Sequence, residues 1–197
     1  MIPSNDFLRF AIYYVPPSSN QLTRFAASWL GWDVYKGIKV NYPMLDNLNY
    51  DIEAIIRSPS KYGLHGTLKP PFSLASDRTF DELRLSVLTL SRSIKKFEIP
   101  DISLKSISGF IAIVPTIQNE SIKYLARKCL EELDSFRAFE SPEILNKRRF
   151  TGLSTSQECH LLKWGYPYVQ DDFMFHLTMT SKLTSEVSEI SIDPLTN

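Results

Sequence analysis

Two short stretches of this chain, His65-Gly66-Thr67-Leu68-Lys69 and His176-Leu177-Thr178-Met179-Thr180, repeat one pattern and decide the fold. Each is a histidine, any residue, a threonine and an apolar residue, and one copy lies in each half of the chain. The sequence has only 3 histidines, and this pattern contains two of them. Histidine has the side chain whose ordinary pKa best suits proton transfer near neutral pH. The pair therefore indicates one acid and one base that act on a shared anion.

Both stretches have the alternation of a β-strand, in which every second side chain points to the same face. We expect the first strand over about 63–69, closed by Pro70-Pro71, and the second over about 172–180. The polar rows are then His65, Thr67 and Lys69 on the first strand, and His176, Thr178 and Thr180 on the second. Apolar side chains occupy the opposite faces, so each strand is predicted to bury one face and line a cleft with the other.

A phosphodiester is a suitable ligand for such a cleft. Its hydrolysis needs a base for the attacking water and an acid for the leaving oxygen, and one histidine on each side of the phosphorus supplies both. Threonine hydroxyls can donate to the non-bridging oxygens, and Lys69 can add positive charge. A zinc site is the other common use of two histidines, but neither has a third ligand at suitable spacing, so no metal is expected.

Composition restricts the class of protein. The 197 residues fit one domain with two lobes, and the 22 basic and 22 acidic residues cancel. A zero net charge argues against a general nucleic-acid coat protein, but it is compatible with a local anion-binding site.

Neither a signal peptide nor a membrane span is recognisable, which predicts a cytoplasmic protein without a membrane partner. The 2 cysteines, Cys129 and Cys159, lack metal-binding spacing and are expected in helices.

Alternation, capping residues and glycine stops predict the other elements. Further strands are expected over about 7–15, 96–99 and 105–114, and helices over about 20–30, 51–57, 79–94, 119–136, from 141, and 155–165. This interleaved order indicates an α+β fold with two similar lobes that face each other. The segment 32–50 has no pattern, and both a lid over the cleft and a core-packing loop fit it. The tail after Lys182 has few apolar anchors and is expected to be loosely held.

Other residues have two interpretations each. Tyr13 and Tyr168 are either core aromatics with a polar tip or part of a ligand site. The run Lys147-Arg148-Arg149 either forms a solvated helix end or contacts a phosphate. His160, in a predicted helix, is more typical of a surface or packing residue.

The paired His-x-Thr strands resemble the two-histidine (2H) phosphoesterase superfamily, which includes RNA 2′,3′-cyclic phosphodiesterases. Other stretches resemble one branch of it, an uncharacterised bacterial family associated with phosphonate metabolism genes. These stretches are Arg9–Tyr14, Tyr62–Lys69, Gly109–Ala112 followed by Val114-Pro115, Phe136–Ala138, Trp164–Val169 and Phe173–Thr178. The resemblance implies a single bilobal domain over 1–197 with pseudo-twofold symmetry. Antiparallel sheets would face a central cleft, with helices outside and one HxT strand from each lobe.

The resemblance also implies roles for matching residues. His65 and His176 would be the catalytic pair, Thr67 and Thr178 would hold the phosphate, and Lys69 would contact it. The mechanism would need no metal and no cofactor, and either histidine could be the acid. The phosphonate association implies a ribose cyclic phosphate as substrate.

The sequence thus predicts a metal-independent phosphodiesterase for a small cyclic phosphodiester, with a small phosphorylated substrate as its partner. Substrate contacts are expected from Lys69, Tyr13, Tyr168 and Thr180, beside the catalytic His65, His176, Thr67 and Thr178. Two alternatives stay open. One is an enzyme for 2′,3′-cyclic or 2′–5′ RNA ends, and the other is a protein that binds a phosphorylated ligand or nucleotide without turnover.

Overall fold

The computed structural model describes residues 9–43, 51–117, 119–150 and 152–183, and these form an α+β fold. The helices are α1 (Gln21–Leu30), α2 (Ile52–Ile56), α3 (Phe80–Ser93), α4 (Glu120–Glu132), α5 (Pro142–Arg149) and α6 (Thr155–Trp164). The strands are β1 (Arg9–Tyr14), β2 (Trp32–Asp33), β3 (Ile38–Lys39), β4 (Gly66–Ser73), β5 (Ile102–Ile107), β6 (Phe110–Pro115) and β7 (Leu177–Thr178). The expected α+β class is therefore confirmed. Within the described ranges, every helix is too short or too polar to cross a membrane.

The chain divides into two compact units that interleave along the sequence. Unit 1 comprises Met1–Tyr13, Thr67–Ile99 and Gln118–Phe175, and unit 2 comprises Tyr14–Gly66, Pro100–Ile117 and His176–Asn197. Both motif histidines belong to unit 2. The pseudo-twofold relation between two lobes stays a prediction.

Unit 1 is built from β1, β4 and four helices. β1 lies beside β4, and the Arg9 guanidinium donates to the Pro71 carbonyl over 2.6 Å. Helices α3 and α4 contact each other, and both bury apolar side chains. The buried side chains are Leu83, Leu90, Ile122, Ala126, Cys129 and Leu130. The basic run Lys147-Arg148-Arg149 forms the last turn of α5, and Cys159 lies exposed on α6.

Unit 2 contains α1, α2, the ribbon β2–β3 and an antiparallel sheet. β7 lies between the first residue of β4 and β6, and β5 pairs with the other side of β6. All three pairings are antiparallel, with the register Gly66↔Leu177, Ala112↔Thr178 and Lys105↔Ala112. β2 and β3 fall in the segment 32–50, whose residues 44–50 lie outside the described part. The expectations for residues 7–8 and for the tail 184–197 also lie outside it.

The expected strand over 105–114 was wrong, because the chain reverses in its middle. Ile107 pairs with Phe110, which leaves Ser108-Gly109 as a two-residue loop between β5 and β6. Both loop residues have positive φ, 49° and 90°, as tight hairpin turns with the right twist require. The strand expected over 96–99 was also wrong, since these residues are irregular.

The motif strands have other bounds than the sequence suggests. β4 continues through Pro70-Pro71, because the fixed φ of proline suits extended backbone and its carbonyl still accepts hydrogen bonds. β7 has only two residues. The N–H groups of Met179 and Thr180 both donate to the Ile111 carbonyl, over 2.9 and 3.3 Å, so two residues oppose one and the regular ladder ends.

The helix boundaries largely confirm the capping signals. Asn20, Asp51, Thr79 and Asn119 cap α1, α2, α3 and α4 with their side chains, and Glu82 completes the capping box of α3. Gly31 and Gly165 end their helices in the left-handed conformation. α4 ends at Glu132 rather than near 136, and a short 3₁₀ turn over Asp134–Phe136 follows it. The cap of α6 is Ser154, one residue before the expected start, and Gln157 closes its capping box.

Candidate functional site

The two motif histidines hold equivalent positions in unit 2. His65 is the residue before β4, and His176 is the residue before β7. Burial alternates through both motifs: each histidine and the threonine after it are half-buried, and the apolar neighbours on either side are buried. Each histidine therefore lies on the partly open face of its segment, as the alternation in the sequence predicts.

The strand register gathers polar side chains in one row across unit 2. Because Gly66 pairs with Leu177, His65 is across from Thr178, and residues opposite each other share a face. Thr178 in turn pairs with Ala112, and Ala112 pairs with Lys105. Ala112 and the exposed Lys105 therefore lie on the same face of the sheet as the histidines.

A hydrogen bond fixes the tautomer of His65. Its Nδ1 is 3.0 Å from the Gly63 carbonyl oxygen, which can only accept, so Nδ1 carries the hydrogen. In the neutral ring the lone pair then belongs to Nε2, which is the nitrogen that can take a proton from a ligand. The ring edge also meets Tyr62, at a centroid distance of 5.9 Å.

The pKa of His65 is lowered from its ordinary value. Burial is the main cause, and the charge of His176 lowers the pKa further, while the hydrogen bond to Gly63 partly opposes both. The register agrees with this coupling, since His176 precedes Thr178 by two positions and therefore lies diagonally across from His65 on the same face. His176 packs its ring against Phe110, at 5.7 Å between centroids. At neutral pH this environment favours His65 as the neutral partner, which is the state of a general base.

Gly63 positions His65, and alanine in its place should disturb the site. Its φ is +67°, and an added Cβ would collide with the Val34 side chain. The left-handed conformation costs alanine roughly 1–2 kcal/mol, and relief of the collision must move the carbonyl that holds Nδ1. We expect Gly63→Ala to lower kcat/KM by about tenfold or more, as misplaced catalytic groups do.

Gly37→Ala is the matched control for Gly63→Ala. Gly37 lies in the same unit with φ +64°, but nothing lies within 4 Å of an added Cβ. The control should lose a similar amount of backbone stability in urea unfolding and keep its kcat/KM. Equal kinetic effects of the two substitutions would show that Gly63 does not position His65.

Thr180 and Lys69, expected on the polar rows, have buried side chains with structural partners. Thr180 is 3% exposed, and its hydroxyl accepts the Ile111 N–H over 2.9 Å. Lys69 is 1% exposed in unit 1, where its ammonium donates to the Leu130 carbonyl at 3.1 Å and to Asp134 at 3.2 Å. The nearly complete burial of both side chains argues against direct contact with a phosphate.

The other candidates belong to unit 1. Thr67 follows His65 by two positions, so strand alternation points it to the same side of β4, and it is half-buried. Tyr13 is half-buried near the end of β1, and Tyr168 is exposed beside Tyr166, with 5.7 Å between ring centroids. His160 Nδ1 lies 3.3 Å from a carboxylate oxygen of Asp172, which fits a packing role.

Sequence reasoning missed two residues of this site, Gly63 and Lys105. The Ser-Gly pair at 108–109 was the available signal for Lys105, because a two-residue hairpin there sets its register with Ala112. Gly63 could have been recognised from its position, since it precedes the candidate catalytic His65 by two residues. Among the described residues, no cluster of three or more His, Cys, Asp or Glu is arranged for a metal.

Comparison with known proteins identifies relatives of this chain. It is 27% identical over 185 residues to a protein of Janthinobacterium sp. (strain Marseille) named ribose 1,5-bisphosphate phosphokinase PhnN. It is 29% identical over 176 residues to a protein of Laribacter hongkongensis (strain HLHK9) with the same name. These alignments include 92% and 89% of this chain, but the chain spans only 40% of the length of each relative.

The family assignment rests on the part of the chain that follows His65 and includes the second motif. No solved structure gives a significant match. Residues 67–195 match a family described as protein of unknown function (DUF1045). This match includes more than half of the sequence, and the chain therefore belongs to the DUF1045 family.

Proposed function

We propose that this protein is a metal-independent hydrolase of a small cyclic phosphodiester, with a mechanism of the 2H phosphoesterase type. The observation that supports it most directly is the pair of half-buried histidines before β4 and β7, which the register Gly66↔Leu177 places diagonally on one face. Acid–base hydrolysis needs one neutral and one protonated ring, and the lowered pKa of His65 suits it to be the neutral one.

The two histidines take opposite roles in this proposal. His65 Nε2 accepts a proton from water as the water oxygen attacks phosphorus. One P–O bond of the ring breaks, and protonated His176 gives its proton to the leaving alkoxide. The product is a phosphomonoester with a free hydroxyl, and the exchange of protons between the two rings restores the starting state.

Hydroxyl and ammonium groups of the same face stabilise the charge on the phosphoryl oxygens. Thr178 is across from His65, and Lys105 extends this row beyond Ala112. Neighbouring strands are about 4.8 Å apart, so a lysine side chain is long enough to extend over the intervening alanine towards Thr178. Thr67 is the matching hydroxyl of the first motif. Lys105 thus takes the role that the sequence hypothesis gave to Lys69.

The relatives' name favours a phosphorylated ribose as the substrate. Ribose 1,5-bisphosphate is the compound in that name, and a ribose cyclic phosphate would give a ribose phosphomonoester on hydrolysis. The resemblance to the phosphonate-associated family points the same way. The kinase activity in the name is not proposed for this chain, because its sequence has no Gly-rich phosphate loop of the GxxxxGK[ST] type.

The direct test is turnover by chelator-treated protein on a panel of cyclic phosphodiesters. The panel contains ribose cyclic phosphates, nucleoside 2′,3′-cyclic phosphates and an oligonucleotide with a 2′,3′-cyclic end. We expect hydrolysis of a small member without added metal. Preference for the oligonucleotide would instead support an RNA-end enzyme, and tight binding without turnover would support a ligand-binding protein.

The pH dependence provides a second test of the assigned roles. Since the pKa of His65 is lowered, the acidic limb of kcat/KM should lie below the ordinary histidine value of about 6.5. His176→Gln removes the neighbouring charge, so the pKa of His65 should rise in an NMR titration, yet stay below the ordinary value because burial persists. The control His160→Gln should leave it unchanged. An unchanged or lower pKa in His176→Gln would contradict the coupling.

A further inference from the structure

Unit 2 has a cavity whose lining residues the proposed chemistry does not use. Its volume is about 330 Å³, and its lining residues are Ala54, Arg57, Ser58, Lys61 and Ser181. This volume is within the usual range for small-molecule sites, about 300–1,000 Å³. Four of the five lining residues have hydroxyl or cationic side chains, and these supply the polar groups of a wall whose surface is otherwise aliphatic.

The charge of this cavity is positive. Arg57 and Lys61 are both exposed, and none of the five lining residues is acidic. Neither cation forms an ion pair with any carboxylate in the described ranges of the chain. Ser58 and Ser181 add hydroxyl groups, which donate to phosphate oxygens alongside guanidinium and ammonium groups.

Hydrogen bonds hold the two walls of the cavity together. The Ser58 N–H donates to the Ser181 hydroxyl at 2.9 Å, and the Ser181 N–H donates to the Ile55 carbonyl at 2.6 Å. One wall leads through Tyr62-Gly63-Leu64 to His65, and the other follows Thr178 by three residues. The cavity is therefore joined to both catalytic motifs by short, ordered stretches of one compact unit.

We propose that this cavity binds a phosphate monoester, so that the substrate carries a second phosphate besides the cyclic one. The inference that the bound molecule is also the substrate rests on the proposed function. Binding of the phosphate monoester by Arg57 and Lys61 does not. A hydrogen bond to a charged group is stronger than one between neutral groups, so the loss of both cations should weaken binding by about tenfold or more.

Calorimetry with ribose 5-phosphate and ribose tests the binding. Wild-type protein should bind the phosphorylated sugar more tightly than ribose, and Arg57→Gln/Lys61→Gln should weaken that binding at least tenfold. Arg24→Gln/Lys39→Gln is the charge-matched control, because both residues are exposed cations of unit 2 outside the cavity. Equal binding of the two sugars, or equal losses in the two double variants, would overturn the proposal.

Kinetics separate this inference from the proposed function. With adenosine 2′,3′-cyclic phosphate, Arg57→Gln/Lys61→Gln should leave KM unchanged, and with its 5′-phosphorylated form KM should rise about tenfold. Histidine-dependent turnover with no such difference in KM would overturn only the inference that the cavity binds a phosphate of the substrate. Binding of ribose 5-phosphate that depends on Arg57 and Lys61, without turnover of any cyclic ester, would overturn only the hydrolase.

Discussion

Alanine at either His65 or His176 should lower kcat/KM on the preferred cyclic ester by about 10³-fold, within the range of 10²–10⁴ for general acid–base catalysis. The double variant should lose little beyond the single variants, because a proton relay needs both partners. The measurement is steady-state turnover of all three variants with chelator present. Unfolding in urea shows whether each variant keeps its fold.

His160→Ala is the control for these substitutions. It removes the third histidine, whose ring contacts Asp172 and the Pro167 carbonyl in unit 1 and has no part in the proposed reaction. Its kcat/KM should stay within about twofold of wild type. Losses that multiply in the double variant would mean that the histidines act independently, which contradicts the shared transition state.

Local sequence signals predicted most helices and the face of each motif. Asn20, Thr79 and Asn119 cap helices that begin close to the predicted starts, because a side chain that bonds a free N–H needs only its nearest neighbours in the chain. The alternation of each motif also depends only on adjacent residues. For these reasons a single sequence was enough to pair the histidines with their threonines.

The rest depended on contacts between segments that are distant in the sequence. Lys69 follows Thr67 by two positions, so alternation placed it on the polar row, yet the carboxylate of Asp134 and the carbonyl of Leu130 hold it inside unit 1. The pairing of Lys105 with Ala112 depends on the conformation of Ser108-Gly109. Neither the partner of a lysine nor the register of a hairpin is visible in an alternating pattern.

The second large effect concerns the ion cluster around Asp134 in unit 1. Its carboxylate accepts from Lys69 at 3.2 Å, and from Arg137 through two bonds of 2.8 and 3.0 Å. Burial lowers the pKa of Lys69, and the charge of Asp134 partly opposes that effect. Burial by itself would raise the pKa of Asp134, but the bonds from Arg137 and the charge of Lys69 lower it. The carboxylate thus stabilises two cations.

Asp134→Ala should lower the free energy of unfolding by about 3–5 kcal/mol, since it leaves the ammonium of Lys69 buried without a counter-ion. The folded state then disfavours the protonated lysine, so its pKa falls further below the unfolded value. As pH rises from 7 to 10, folded Lys69 loses its proton before the unfolded chain does, and the deficit relative to wild type should shrink. Urea unfolding at both pH values measures this.

Lys69→Met separates the charge of Lys69 from its packing. Methionine fills a similar volume, and Asp134 keeps both bonds from Arg137, so we expect a loss within about 1 kcal/mol. Lys69→Met/Asp134→Ala should be more stable than Asp134→Ala alone, because the unpaired ammonium is gone. Lys69→Met should also retain its turnover of cyclic esters. A stable Asp134→Ala would contradict the buried ion pair, and an inactive but folded Lys69→Met would return Lys69 to the role of a phosphate contact.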